Sequence, residues 1–192
     1  MTSTQNLDAG AATNWTGNAL RILVGVALLT ASAKVQVPFW PVPMTLQIAV
    51  LMTLAATYGL RLGTANMAAY LAAGAAGLPV FAGTPEKGIG LAYMMGGTGG
   101  YLLGFLLATI VVALVAERLP KWALLPGMFA GIVAIYVPGL VWLAQFVPAD
   151  KVFAYGFTPF IAGDSVKVIL ATILVLGLPA ALMTKLRGSS DK

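Results

Sequence analysis

Between Ile22 and Thr184 the positions free of charged residues fall into long runs: 22–33, 35–60, 62–85, 88–116, 122–149 and 168–184. Nothing else in the sequence constrains the fold as strongly. A helix crosses a bilayer with about 20 mostly apolar residues. The short first and last runs reach that length by extending over a neighbouring charge, which snorkelling at a helix end permits. We read six spans, near 20–36, 43–61, 63–80, 97–117, 122–146 and 159–186. The expected fold is an all-α, polytopic six-helix membrane bundle. It forms one domain, 20–186, between a polar cytoplasmic N-terminal tail, 1–19, and a polar C-terminal tail, 187–192. A mean hydropathy of +0.91 lies far above that of a soluble domain and agrees.

Residues 1–19 carry Asp8 and no Lys or Arg, so the basic n-region of a cleavable signal is missing and the first span is expected to stay in the mature protein. Six spans put both termini on one side. With the N-terminus inside, the inner flanks hold Arg21, Arg61, Arg118, Lys121, Lys185, Arg187 and Lys192, against Lys34, Lys87, Lys151 and Lys167 outside. That majority favours two cytoplasmic termini. The net charge of +5 is then mostly topology. Its cations are scattered singly at helix ends, so they do not argue for nucleic acid. The expected location is a cytoplasmic membrane.

Several chemistries are excluded. The chain has no histidine, so there is no Ser-His dyad. It has neither His nor Cys for a zinc site, and no disulfide. No phosphate-binding G-x-x-x-x-G-K-[ST] occurs, so the chain does not hydrolyse ATP by a P-loop of its own. Asp164 is the one carboxylate placed well inside a span, which leaves no facing pair for an aspartyl protease. Glu117, beside Arg118, reads as a solvated helix flank. Binding, carrying or scaffolding remain, with no enzyme and no cofactor expected.

The run Gly163-Asp-Ser-Val-Lys167 sets Asp164 and Lys167 three residues apart, on one helix face. Charges at this depth cost a few kcal/mol each, in the order of magnitude, before pairing. They either hold a ligand or form a helix-end ion pair. Pro38, Pro41 and Pro43 make Val37–Thr45 a stiff extended loop carrying Phe39 and Trp40. Trp40 either sits in the headgroup belt or rides a lid over an outward-facing pocket. Gln47, in the first turn of the next helix, is expected to face the bundle as interhelical glue or ligand contact. Met94-Met-Gly-Gly-Thr-Gly-Gly-Tyr101 lets backbone come close to a helix or a ligand, and Tyr101 is a candidate contact. Ala27-x-x-x-Ala31 and Gly127-x-x-x-Gly131 permit close packing, within the bundle or against another protein.

Three segments, in order, resemble one family. Pro41-Val-Pro-Met-Thr-Leu-Gln47, Gly77-Leu-Pro-Val-Phe81 followed by Gly96-Gly-Thr-Gly-Gly-Tyr-Leu-Leu-Gly-Phe105, and Pro159-Phe-Ile-Ala-Gly-Asp-Ser-Val-Lys167 are similar to BioY, the biotin-binding S components of energy-coupling factor (ECF) transporters. The likeness spans about 20–186. The chain carries Gly97 where the family pattern often has proline. The resemblance implies a subunit that captures biotin from outside, with a transmembrane coupling protein and two cytoplasmic ATPases as partners. It implies that the loop after the first helix covers the vitamin, and that Ala27 and Ala31 meet the coupling protein. The substrate-contact set it suggests is Asp164, Lys167, Gln47, Tyr101, Gly97, Thr98, Gly99, Phe81 and Trp40. Asp164 accepts and Lys167 donates, which suits the N–H groups and the oxygens of biotin respectively. The alternative reading is a self-sufficient secondary biotin carrier working without ATPase partners.

Overall fold

The computed structural model describes residues 4–37 and 42–187, with side chains from Trp15 onward. Trp40, with Pro38, Phe39 and Pro41, lies outside the described residues, as does the expected C-terminal tail beyond Arg187. Helix α1 (Thr4–Lys34) takes in most of the segment expected to be a tail. Strands β1 (Gln36–Val37) and β2 (Met44–Thr45) pair antiparallel, Gln36 opposite Thr45 and Val37 opposite Met44. Then follow α2 (Gln47–Ala75), α3 (Gly90–Met94), α4 (Gly99–Arg118), α5 (Leu124–Leu143), α6 (Val152–Gly156), α7 (Thr158–Gly177) and α8 (Ala180–Arg187). Among the described residues, five helical segments are long and apolar enough to cross a membrane: Trp15–Lys34, Gln47–Ala75, Gly99–Arg118, Lys121–Leu143 and Ala149–Gly177.

The spans expected at 43–61 and 63–80 are therefore one element, α2, which folds back on itself. Gln47 and Tyr70 are hydrogen-bonded at 2.9 Å. A straight helix would hold residues this far apart in sequence about 35 Å from each other. The reversal lies at Gly59, whose φ of 76° is open to glycine and strained for other residues. Glu117 Oε1 accepts the Leu60 N–H at 2.8 Å and so caps the returning arm. This carboxylate, expected to be a solvated flank, has a specific partner. The last expected span, 159–186, is also divided: α7 stops at Gly177 and Pro179 precedes the short α8.

Helices α4 and α5 interlock through glycines in antiparallel register. A Cβ on Gly104 would lie 2.6 Å from Ile135 Cα, one on Gly131 2.8 Å from Val112, and one on Gly127 2.5 Å from Val115. The core holds Leu29, Leu51, Met52, Met128, Ile135 and Val168, all nearly inaccessible. Outward-facing positions are just as apolar, with Leu23, Val133, Val141, Ile169 and Ile173 all exposed. An apolar exterior around a packed interior is what a bilayer solvent requires. At one end of the bundle Arg21 donates to the Lys185 carbonyl, Tyr58 to the Arg21 carbonyl and Arg187 to the Ala116 carbonyl. The end that carries the β1–β2 ladder holds the site.

Candidate functional site

Asp164 stands near the start of α7, 3% exposed, with both oxygens engaged. Lys167 Nζ lies 2.8 Å from Oδ1, and the Tyr136 hydroxyl donates to Oδ2 at 2.7 Å. The three-residue spacing sets ammonium and carboxylate on one face, as the sequence predicts. Each oxygen keeps acceptor capacity beyond its one protein partner. Asp164 lines a cavity of about 70 Å³ enclosed by Val42–Thr45, Gln47, Thr98, Tyr101, Phe105, Tyr136 and Phe160, among others. Lys167 is not in that wall; it backs the carboxylate from behind. The Met44 sulfur comes within 3.5 Å of where a Gly163 Cβ would be, so β2 lies against α7 beside the carboxylate.

The structure brings Gln47, Thr98, Tyr101 and Asp164 to one cavity. Gln47 opens α2 and donates to the Tyr70 hydroxyl, so it acts as interhelical glue and wall at once. Tyr101 donates to the Gly156 carbonyl at 2.8 Å, and its ring packs edge-on against Tyr136. Gly97 and Gly99 stand apart from the wall. Gly97 faces Leu143 and Phe146, Gly99 faces the Met94 carbonyl and Trp142, and Gly100 faces the Pro138 carbonyl. The glycine run thus serves the packing of α4 against its neighbours. Trp142 Nε1 closes the arrangement by donating to the Gly96 carbonyl.

Phe81 is buried just behind the cavity, stacked on Tyr93 and edge-on to Tyr70, over Gly74. Its neighbour Ala82 is the residue that reaches the wall. The loop around it has no ladder of its own, and a buried carbonyl without a partner is costly. Side chains meet the need. Tyr70 donates to Val80, Tyr93 to Ala82, and Lys34 at the end of α1 to the carbonyls of Phe81 and Thr84. Burial pushes the Tyr93 phenol above its ordinary value, partly offset by the hydrogen bond with Thr98.

Tyr136 is the residue of this cavity that sequence reasoning does not single out. The signal was its hydroxyl, the one polar group in Gly131-Ile-Val-Ala-Ile-Tyr-Val-Pro138, because a buried phenol needs an acceptor. Ala27 and Ala31 are exposed on α1, in a face shared with Leu23, Val24 and Leu28. The site as a whole is an apolar, aromatic slot with one strong acceptor in its wall. That arrangement is chemically suited to a small, mostly apolar molecule bearing a hydrogen-bond donor.

Comparison with known proteins gives a consistent result. The probable biotin transporter BioY of Pyrococcus horikoshii is 37% identical over 149 residues, covering 78% of this chain and 88% of that one. The biotin transporter BioY of Thermotoga maritima is 39% identical over 156 residues, covering 79% and 89%. The crystal structure of the S-component for biotin from an ECF-type ABC transporter shares the fold, with a TM-score of 0.70 at 24% identity over 91% of this chain and 92% of that one. The family model of the BioY family matches residues 3–184, and on that match and those relatives this chain belongs to the BioY family.

Proposed function

We propose that this membrane protein is the biotin-capturing subunit of an ECF-type vitamin transporter and holds the vitamin in the cavity at Asp164. The observation that carries the reading is a buried carboxylate with spare acceptor capacity in an aromatic slot. Biotin presents a ureido ring with N–H donors and a carbonyl, an apolar sulfur ring, and a carboxylate on a chain. A ureido N–H pairs with Asp164, the sulfur ring with Tyr101, Phe105 and Phe160, and Gln47 and Thr98 offer mixed contacts. Lys167 pairs with the carboxylate and holds it in place. The kinship with biotin transporters supports the choice of ligand.

At about 70 Å³ the cavity is far below the roughly 300–1,000 Å³ usual for a small-molecule site. Binding therefore widens it. The wall that yields is Val42–Thr45, held by two-residue strands, because α4 and α5 are locked together by their glycines. Each arm of α2 is taken as one pass, which gives six passes and both termini on the side richer in Lys and Arg, the cytoplasm. The site then opens outward. The exposed Ala27 and Ala31 face is where a transmembrane coupling protein with two ATPases docks.

The test is biotin titration of the purified protein in detergent, followed by tryptophan fluorescence, with Asp164→Asn alongside. Saturable binding that the substitution weakens strongly supports the reading. A folded wild-type sample without binding sinks it.

A further inference from the structure

We propose that a second cavity, at the opposite end of the bundle from the Asp164 site, is a binding site for the headgroup of an anionic phospholipid. It lies between the end of α4, the start of α5, the end of α7 and α8, and encloses about 570 Å³. Its walls include Val115, Leu119, Leu124, Val175 and Met183. Lys121 and Arg187 line it as well, and none of its lining residues is acidic.

The position of Arg187 has a backbone cause. Ala116 sits in the last turn of α4, and the residue that would donate to its carbonyl is Pro120, which has no N–H. Arg187 Nη2 donates to that carbonyl instead, at 2.9 Å. This fixes the guanidinium at the cavity but uses little of its donor capacity. Its Nε is buried and, among the described residues, has no hydrogen-bond partner. Because Nε has no surface open to the cavity, the guanidinium's remaining Nη donors are the ones an oxyanion there would meet. A phosphate oxygen fits the planar fork of a guanidinium, and Lys121 supplies a second cation at the rim.

The apolar walls choose between sources of phosphate. A free phosphate ion gains nothing from Val175, Leu119 or Met183, whereas the glycerol and first methylenes of a lipid bury against them. The cavity also lies where spans end, at headgroup depth, and basic pockets between helices there are suited to anionic lipid. Glu117 is not among the lining residues, and its Oε1 turns to the Leu60 N–H.

The experiment is native mass spectrometry of the purified full chain with equal amounts of dioleoyl phosphatidylglycerol and dioleoyl phosphatidylcholine. We expect preferential retention of phosphatidylglycerol. Arg187→Gln and Lys121→Gln should each weaken it about fivefold, with phosphatidylcholine unchanged. Lys121 is exposed and holds nothing in place, so its variant stays folded if loss of the Ala116 contact unfolds the other. Equal retention of both lipids overturns the proposal, as does indifference to both substitutions. Displacement of the lipid by millimolar inorganic phosphate would assign the site to the free ion and also overturn it. So would tighter lipid binding after removal of residues 188–192, which would make the chain's own tail the occupant.

Discussion

Changing Asp164 to Asn separates two roles of one carboxylate. In the folded chain Asp164 neutralises Lys167 and accepts from Tyr136. An asparagine can keep both contacts in form, its oxygen toward Lys167 and its amide toward the tyrosine oxygen. What it loses is the charge. Removing one partner of a fully buried pair costs about 3–5 kcal/mol. The Lys167 side chain is 14% exposed, so partial solvation lowers this to roughly 2–3 kcal/mol. Binding loses separately. A ligand N–H bonded to a carboxylate contributes about 1.5–3 kcal/mol, a factor of roughly 10 to 150, and the new amide adds a donor facing a donor. Biotin affinity should fall about a hundredfold. The decisive sample is the double variant Asp164→Asn with Lys167→Met. It removes the stranded charge, so thermal unfolding should return most of the way to wild type while affinity stays low. Both quantities come from one preparation, by scanning fluorimetry and by tryptophan-fluorescence titration. A double variant that binds biotin within about threefold of wild type would refute the argument and leave Asp164 as the partner of Lys167 alone.

Other expectations follow from the geometry. Gly104→Ala places a Cβ 2.6 Å from Ile135 Cα, so α4 and α5 must part, at about 1–3 kcal/mol; a lowered unfolding temperature reports it, and an unchanged one contradicts the interlock. Lys34→Met removes the donor that holds Phe81 and Thr84, and should speed amide exchange at Thr84 and Lys87 while weakening biotin binding several-fold, by about 1 kcal/mol. Ala27→Trp with Ala31→Trp alters only an exposed face. Biotin titration should stay at wild-type values while co-purification with a coupling protein is lost.

The membrane character of the chain is legible because a bilayer imposes one rule, length without charge, that a sequence states openly. The reversal in α2 was placed between 61 and 63, beside the only cation of that stretch, and lies at Gly59. Arg61 marked the neighbourhood of the turn, but the turn itself depends on a positive φ that composition does not display. Asp164 and Lys167 were legible for the opposite reason, as charges in a chain that avoids them. Tyr136 was not, because a tyrosine in an apolar helix is ordinary core until its partner on another helix is known. Gly97 and Gly99 fit close approach to a helix or to a ligand, and the sequence alone leans toward helix packing. In the structure the residues they face are Leu143 and the Met94 carbonyl, among others, which are packing contacts.

The loop behind the cavity offers main-chain oxygens to donors that come from α1, α2 and α3. Every L-residue carries the same carbonyl, so the hydrogen bonds that hang the wall do not depend on which side chains stand at Val80 and Ala82. The information that shapes this wall is stored elsewhere in the chain, in Lys34, Tyr70 and Tyr93. A saturation scan should therefore find intolerance not only at the buried Val80 but also at three distant side chains, none of which lies within the segment they shape.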